Sequence, residues 1–141
     1  MTADLTDEAA YPYYNEQPIR FSDQDAMGHV NNVAYAAYVE AGRLGFFVDY
    51  LSEHPAEFEN YVLAHVSIDY LVEMTFPGVV RIGARLLKVG RKSVTTGYGV
   101  FLNGTCHATA TSVNVYFDPK TRKSAAPPDA YRAYLLSKLA N

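Results

Sequence analysis

The chain has 141 residues, of which 49% are hydrophobic and 19% are charged, and its formal net charge is −3 at pH 7. This length and composition predict one globular domain with a real hydrophobic core and argue against a disordered chain. The acidic balance argues against a nucleic-acid-binding protein, because phosphate contacts need clustered Lys and Arg. No stretch approaches the roughly 20 apolar residues of a membrane span.

The amino-terminal part of the chain is polar and acidic, without the basic and then apolar pattern of a signal peptide. Together with a single cysteine, Cys106, this predicts a cytoplasmic protein without an intramolecular disulfide. Residues 1–15 are predicted to form a loose arm, and residues 16–141 a single domain. A short strand through Ile19 and Phe21 is expected to open that domain.

A run with helical periodicity follows and predicts a long helix over residues 31–50. Asn31 or Asn32 is expected to cap its start. The small residues on its predicted buried face, with Gly42 and Gly45 at the edge, would let a sheet approach closely. The predicted buried face consists of Val33, Ala34, Ala37, Ala41, Leu44 and Val48.

Beyond a loop predicted for residues 52–60, the periodicity changes to two, which is typical of strands. Alternating apolar residues from Val62 to Val72 predict a long strand with one face made for burial. Three further strands follow, separated by turn signals that contain glycine. On the first of them the alternation is repeated by Val80, Ile82, Ala84 and Leu86, which are expected to face inward. The strongest of these signals is Asn103-Gly104, which favours a type I′ hairpin.

The last strand, predicted over residues 105–117, changes its apolar phase between Ala110 and Val113, as a bulge or strong bend would produce. A short carboxy-terminal helix is expected after residue 128. This order of elements predicts an α+β fold, with a curled antiparallel sheet wrapped around a long central helix. Such a sheet leaves an edge strand exposed, so we expect a homodimer or homotetramer, with dimer sheets joined edge to edge.

The segment just before the long helix concentrates groups that can do chemistry, namely Asp23, Asp25, Gly28 and His29. Unpaired backbone N–H groups and the positive end of the helix dipole attract negative charge there. Such a place can hold a carboxylate and polarise a carbonyl group. Considered by itself, Asp25 could also be a carboxylate that only stabilises the helix dipole.

One run of residues carries a resemblance: Asp23-x-Asp25-x-x-Gly28-His29-Val30-Asn31-Asn32-x-x-Tyr35-x-x-Tyr38-x-Glu40. It resembles the signature of the hotdog-fold acyl-CoA thioesterases, in particular the 4-hydroxybenzoyl-CoA thioesterase family and its relatives that act on acyl carrier proteins. Residues 68–71 and 89–93 are similar to that family's second-strand and third-turn patterns. The resemblance therefore covers roughly residues 19–128 and implies the hotdog fold and hydrolysis of a thioester.

The resemblance also implies that Asp25, the second aspartate of the pair, is the catalytic carboxylate, acting as general base or nucleophile. Backbone N–H groups of residues 30–32 are expected to form an oxyanion hole. Gly28 would allow a close approach of the substrate backbone or an unusual φ, and His29 would orient substrate or Asn31, or serve a structural role. The predicted catalytic set is Asp25, Gly28, His29, Val30, Asn31 and Asn32.

Coenzyme A would bring phosphate groups, for which basic residues are suitable partners. Arg91 and Lys92 lie in a predicted tight turn, and Ser93, Arg81 and Arg85 are further candidates. The alternative is that the turn is ordinary charged surface. If the acyl donor is an acyl carrier protein, the same turn would meet an acidic surface instead.

The predicted function is hydrolysis of an acyl-CoA thioester to the free acid and CoA. The alternatives are an acyl-carrier-protein thioesterase or a non-catalytic acyl-CoA binding protein with the same fold. Asp23 is predicted to be a turn or capping residue. The spacing of Asp23, Asp25 and His29 matches no metal motif, so neither a metal nor an organic cofactor is expected.

Overall fold

The computed structural model describes residues 3–53 and 59–139. Its strands are antiparallel neighbours in the order β1-β3-β4-β5-β2, and β6 pairs with the end of β5. The predicted type I′ turn joins β4 to β5, with positive φ at Asn103 (52°) and Gly104 (80°). The strands are β1 (Tyr13–Pro18), β2 (Tyr61–Tyr70), β3 (Val79–Val89), β4 (Ser93–Leu102), β5 (Thr105–Asp118) and β6 (Lys123–Ser124).

Two helices accompany the sheet, α1 (Asn32–Gly45) and α2 (Asp129–Ser137). Asn31 caps α1, because its side chain accepts a hydrogen bond from the N–H of Ala34 at 2.8 Å. The segment Phe46–Tyr50 continues the helix as one wider π-helical turn. The predicted helix is therefore confirmed in its extent and cap, although its last turn is not α-helical.

The buried face of α1 shares only Ala34 with the predicted one. It is formed by Tyr35, Tyr38 and their neighbours, whereas Val33 is 71% exposed and Leu44 is 44% exposed. Both faces of this helix carry apolar or small side chains. Burying the large tyrosine rings stabilises the fold more than burying alanine methyl groups does. The predicted close approach to the sheet is confirmed at Gly42, where an added Cβ would lie 2.5 Å from Cγ2 of Ile82.

The amino-terminal strand begins earlier than predicted. β1 starts at Tyr13, within the predicted loose arm, and pairs with β3; Tyr11 is also buried. The predicted strand through Phe21 is wrong, because β1 ends at Pro18 and Phe21 begins a short 3₁₀ turn (Phe21–Asp23). Pairing with β1 satisfies backbone groups along the edge of β3 that would otherwise lack partners.

β2 is an edge strand whose faces are largely exposed, contrary to the predicted burial of one face. Val62 is 51% exposed, Val66 is 43% exposed and Tyr70 is 53% exposed. The reason is its place in the sheet, since α1 packs mainly over β1, β3 and β4 and contacts β2 near its end, where Tyr35 meets Tyr70. The loop predicted over residues 52–60 falls largely outside the described residues.

β5 keeps one phase of burial from Ala108 to Tyr116, so the predicted phase change between Ala110 and Val113 is wrong. Ser112 and Asn114 continue the buried row of Ala110. The buried Ser112 hydroxyl is satisfied by a hydrogen bond with the hydroxyl of Tyr98 at 2.7 Å. The irregularity of this strand lies near its start, between its pairs with Val100 and Phe101 of β4.

The core lies between α1 and the inner face of the curled sheet, as the hotdog fold requires. On β3 the predicted inward residues Val80, Ile82, Ala84 and Leu86 are all buried. Among the described residues, neither α1 nor any other helix combines the length and the hydropathy that a membrane span needs. The start of α1 and the ends of β1 and β2 meet at one end of the sheet, which we call the upper end.

Candidate active site at the start of the long helix

Residues 25–29 form a closed loop directly before α1. The N–H of Asp25 donates to the carbonyl of His29 at 2.7 Å, and the N–H of Gly28 donates to the carbonyl of Asp25 at 3.1 Å. Gly28 has a φ of 83°, in the left-handed region that favours glycine. The unusual φ predicted for this residue is therefore confirmed, and it allows the loop to close.

The closed loop fixes the carboxylate of Asp25. Its Oδ1 accepts hydrogen bonds from the N–H of Met27 at 2.9 Å and the N–H of His29 at 3.1 Å. The hydrogen bond from His29, and then that from Met27, lower the pKa of Asp25, so the exposed carboxylate is ionised at neutral pH. Among the described residues, no donor occupies its other oxygen, Oδ2, which is open to water or substrate.

Asp23, by contrast, is buried and fully engaged. Its carboxylate accepts hydrogen bonds from the Tyr38 hydroxyl at 2.7 Å, the Arg20 N–H at 2.9 Å and the Arg20 guanidinium at 3.1 Å. Burial by itself would raise the pKa of Asp23, but these donors outweigh it and the pKa is lowered. Asp23 therefore ties its turn to α1, as its predicted capping role requires.

The three N–H groups predicted for the oxyanion hole are not equally available to a substrate. The N–H of Val30 donates to the carbonyl of Met74 at 2.8 Å, and that of Asn31 donates to the carbonyl of Asp23 at 2.9 Å. Neither is available to a substrate, which corrects the prediction for these two residues. Asn32 is the first residue of α1, where N–H groups lack intrahelical acceptors. Of the three, it alone has no acceptor in the described part of the chain.

The side chain of His29 faces a residue that the sequence did not single out. Its Nε2 lies 3.1 Å from Oε2 of Glu73, in the loop after β2. No local pattern links these two residues, because only the fold brings the loops together. Beside them opens a cleft of about 260 Å³. It is lined by Val30, Tyr35, Tyr70, Leu71, Val72 and Glu73.

The predicted CoA-binding residues do not form one site. Arg91 and Lys92 are exposed in the turn between β3 and β4, and the neighbouring Ser93 is half-buried. This turn, which we call the basic turn, follows the 11 residues of β3. At about 3.3 Å per residue, that strand separates it from the upper end by roughly 30–35 Å.

Arg81 and Arg85 lie on the outer face of the sheet, beneath the amino-terminal segment. Arg81 makes an ion pair with Glu8 at 2.6 Å and lies 3.9 Å from the centre of the Tyr14 ring. Arg85 donates to the carbonyl of Ala10 at 3.1 Å. Alternate residues of a strand share a face, so these side chains point away from the inner face that α1 covers. The structure therefore gives them contacts with the chain itself.

Comparison with known proteins identifies relatives that cover nearly the whole chain. Residues 19–135 match the thioesterase-like superfamily. The protein YsmA of Bacillus subtilis is 29% identical over 132 residues, which are 92% of this chain and 88% of YsmA.

Two solved structures are similar in fold. A thioesterase from Thermus thermophilus, complexed with coenzyme A and Zn, superimposes with a TM-score of 0.81 at 28% identity, covering 93% of this chain and 96% of that one. A predicted thioesterase from Bacillus stearothermophilus superimposes with a TM-score of 0.80 at 26% identity, covering 92% and 97%. In the described part of this chain, no three His, Cys, Asp or Glu side chains are grouped to hold a metal ion.

Proposed function

We propose that this chain, which belongs to the thioesterase-like superfamily, hydrolyses an acyl-CoA thioester to the free acid and CoA. The observation that carries the proposal is the closed loop before α1. It holds the ionised carboxylate of Asp25 by two N–H groups. A few residues further, Asn32 is the first residue of α1, and its N–H has no acceptor in the described part of the chain.

In the proposed reaction, the thioester carbonyl oxygen accepts a hydrogen bond from Asn32, which stabilises the charge that develops there. Asp25 takes a proton from a water molecule as the water oxygen attacks the carbonyl carbon. When the tetrahedral intermediate collapses, the C–S bond breaks and the CoA sulfur leaves with the proton. Alternatively, Asp25 attacks the carbonyl carbon directly, the C–S bond breaks and CoA leaves as the thiolate, and water then hydrolyses the resulting anhydride to the free acid and restores Asp25. Both routes require an ionised Asp25.

We further propose a homodimer formed through the exposed edge of β2. Its apolar side chains are left open in one protomer, and an unpaired edge of this kind is usually covered. Two β2 edges that pair antiparallel about a two-fold axis place the upper end of one protomer beside the opposite end of the other, the end that carries the basic turn. The partner subunit's Arg91 and Lys92 then lie on the same side of the assembly as Asp25, and can hold the CoA phosphates.

A thiol-release assay across short, long and aromatic acyl-CoA esters tests the function directly. We expect turnover of at least one ester, at a rate proportional to the concentration of active sites. The same acyl groups attached to an acyl carrier protein identify the preferred donor. Calorimetric binding of acyl-CoA without release of thiol, in every case, would instead establish a binding protein. A cytoplasmic location, where CoA esters are available, belongs to this proposal.

A further inference from the structure

β5 carries a buried histidine that the proposed reaction does not use. His107 is 9% exposed and lies where the pairing of β4 with β5 is irregular. Phe101 pairs with Cys106 and Val100 pairs with Ala108, so His107 is the extra residue of a β-bulge. Bulges re-aim side chains and are frequent beside active sites. Here the imidazole reaches the loop that follows β2.

His107 holds residues 71–74, which we call the cleft loop, through its ring and its backbone. The ring Nδ1 lies 3.1 Å from the carbonyl oxygen of Val72 and 3.0 Å from that of Glu73. The carbonyl of His107 accepts hydrogen bonds from the N–H of Leu71 at 2.9 Å and of Val72 at 3.2 Å. Since a carbonyl oxygen can only accept, Nδ1 must carry a proton and donate it.

On its other side, the cleft loop contacts the candidate active site. The Glu73 carboxylate lies 3.1 Å from the imidazole of His29, and the carbonyl of Met74 accepts the N–H of Val30 at 2.8 Å. Residues of this loop also form one wall of the cleft beside the start of α1. A continuous set of contacts therefore joins the buried imidazole to the site.

We propose that His107 is a positioning residue for the thioesterase site. Its Nδ1–H fixes the cleft loop, and thereby the wall of the cleft that receives the acyl group and the place of Glu73 opposite His29. This inference rests on the proposed function, because it assigns the acyl group to that cleft. The contact between Glu73 and His29 is exposed, and exposed contacts of this kind contribute little by themselves, so the buried hydrogen bond from His107 sets the position of the loop.

Loss of the hydrogen bond from His107 should weaken substrate binding more than it slows the chemical step, because Asp25 is held by hydrogen bonds within its own loop. Asparagine can place an amide N–H near the position of Nδ1–H, whereas the longer glutamine side chain carries its N–H closer to the position of Nε2. We expect His107→Gln to raise KM about five- to tenfold and to change kcat less. A rise of this size corresponds to the loss of one hydrogen bond that holds the cleft loop. His107→Asn should restore KM to within about twofold of the original.

Thr109→Ala, on the same strand, is the control and should change neither constant. Melting temperatures of all three variants show whether they are folded at the assay temperature. An unchanged KM for His107→Gln would overturn the proposal. Equal damage by the Asn and Gln variants would overturn it too, because a general need for an imidazole in the core, and not the Nδ1–H bond, would then explain the loss.

Nitrogen NMR of the imidazole rings separates this inference from the proposed function, since it needs no substrate. We expect the spectrum of the unmodified protein to show a proton on Nδ1 of His107, and the N–H groups of Leu71 and Val72 to exchange more slowly than in His107→Gln. An Nε2–H tautomer would overturn the anchor even in an active enzyme. The expected spectrum without turnover of any ester would reject the proposed function. Calorimetric binding of acyl-CoA to the unmodified protein and to His107→Gln would then test the anchor, and equal affinities would overturn it.

Discussion

The carboxylate of Asp25 is the residue on which the proposed chemistry depends. Asp25→Asn keeps the size of the side chain and one acceptor, but it can neither accept a proton nor attack the carbonyl. We expect kcat to fall by at least about 10²-fold, with little change in melting temperature. If Asp25 only complemented the helix dipole, kcat would be spared. Steady-state kinetics with the best ester decide between the two roles.

Asp23 provides the matched control, since it lies two residues away and is also ionised. Its carboxylate is buried and accepts hydrogen bonds from Tyr38 and Arg20. We expect Asp23→Asn to lower the free energy of unfolding by roughly 1–3 kcal/mol and to reduce kcat much less than Asp25→Asn does. Equal losses of kcat in two folded variants would contradict the assignment of catalysis to Asp25.

The lowered pKa values of the two aspartates predict distinct pH dependences. The active form of Asp25 is the ionised one, so kcat/KM should stay level down to the ordinary Asp range, about pH 3.9, and fall only below it. The pKa of folded Asp23 is also lowered, so its stabilising effect is present above the unfolded value and is lost as the pH falls through the folded value. pH-rate profiles and melting temperatures at each pH measure the two effects; an acid limb of kcat/KM above about pH 5, in folded protein, would contradict the first.

At the scale of elements, the site depends on how closely α1 approaches β3. At Gly42 an added Cβ would lie 2.5 Å from Cγ2 of Ile82, a branched side chain that cannot swing away. We expect Gly42→Ala to be destabilising, because overpacking costs about 1–3 kcal/mol and exceeds the gain in helix propensity of about 1 kcal/mol. Denaturant unfolding measures this free energy.

The Ile82→Ala background supplies the control for that prediction. Removing the Ile82 side chain opens the space that the new methyl group needs, so Gly42→Ala should then become neutral or stabilising. The same cost in both backgrounds would show that the contact with Ile82 does not limit the approach of α1.

At the scale of the whole molecule, the exposed edge of β2 predicts a dimer. Val66→Lys places a charge in the middle of that edge, where it would oppose pairing with a second sheet. We expect sedimentation to show a dimer for the unmodified protein and a monomer for Val66→Lys. Leu136→Lys, at an exposed apolar position on α2, is the control and should remain dimeric. A folded, active monomer of the unmodified chain at micromolar concentration would refute the dimer.

Mixed dimers test whether each site combines two protomers. Arg91→Ala with Lys92→Ala should raise KM for CoA esters more than it lowers kcat. When equal amounts of this double variant and of Asp25→Asn are mixed and reassembled, half of the dimers contain one subunit of each kind. Each of these mixed dimers has one intact site, which combines Asp25 of the first subunit with the basic turn of the second. At subsaturating substrate we expect about a quarter of the original activity to return. No gain over the separate variants, with subunit exchange confirmed, would show that Asp25 and the basic turn do not act across the interface.

The sequence by itself determined the features that depend on neighbouring residues in the chain. The cap at Asn31, the positive φ at Gly28 and the hairpin at Asn103-Gly104 all follow from local backbone preferences and short hydrogen bonds. Alternation on β3 predicted its buried residues correctly, because that strand lies in the sheet interior with α1 above it. The run from Asp23 to Glu40 also indicated the family that the comparisons show.

Only the tertiary structure decided which face of each element is covered and which distant groups meet. It buried the tyrosine face of α1 in place of the predicted one, and left β2 exposed at the edge of the sheet. It also placed Glu73 against His29 and paired Arg81 with Glu8, far from the basic turn. Periodicity records which residues share a face, but burial and ion pairing depend on the element that covers that face, which is set by the path of the chain through space.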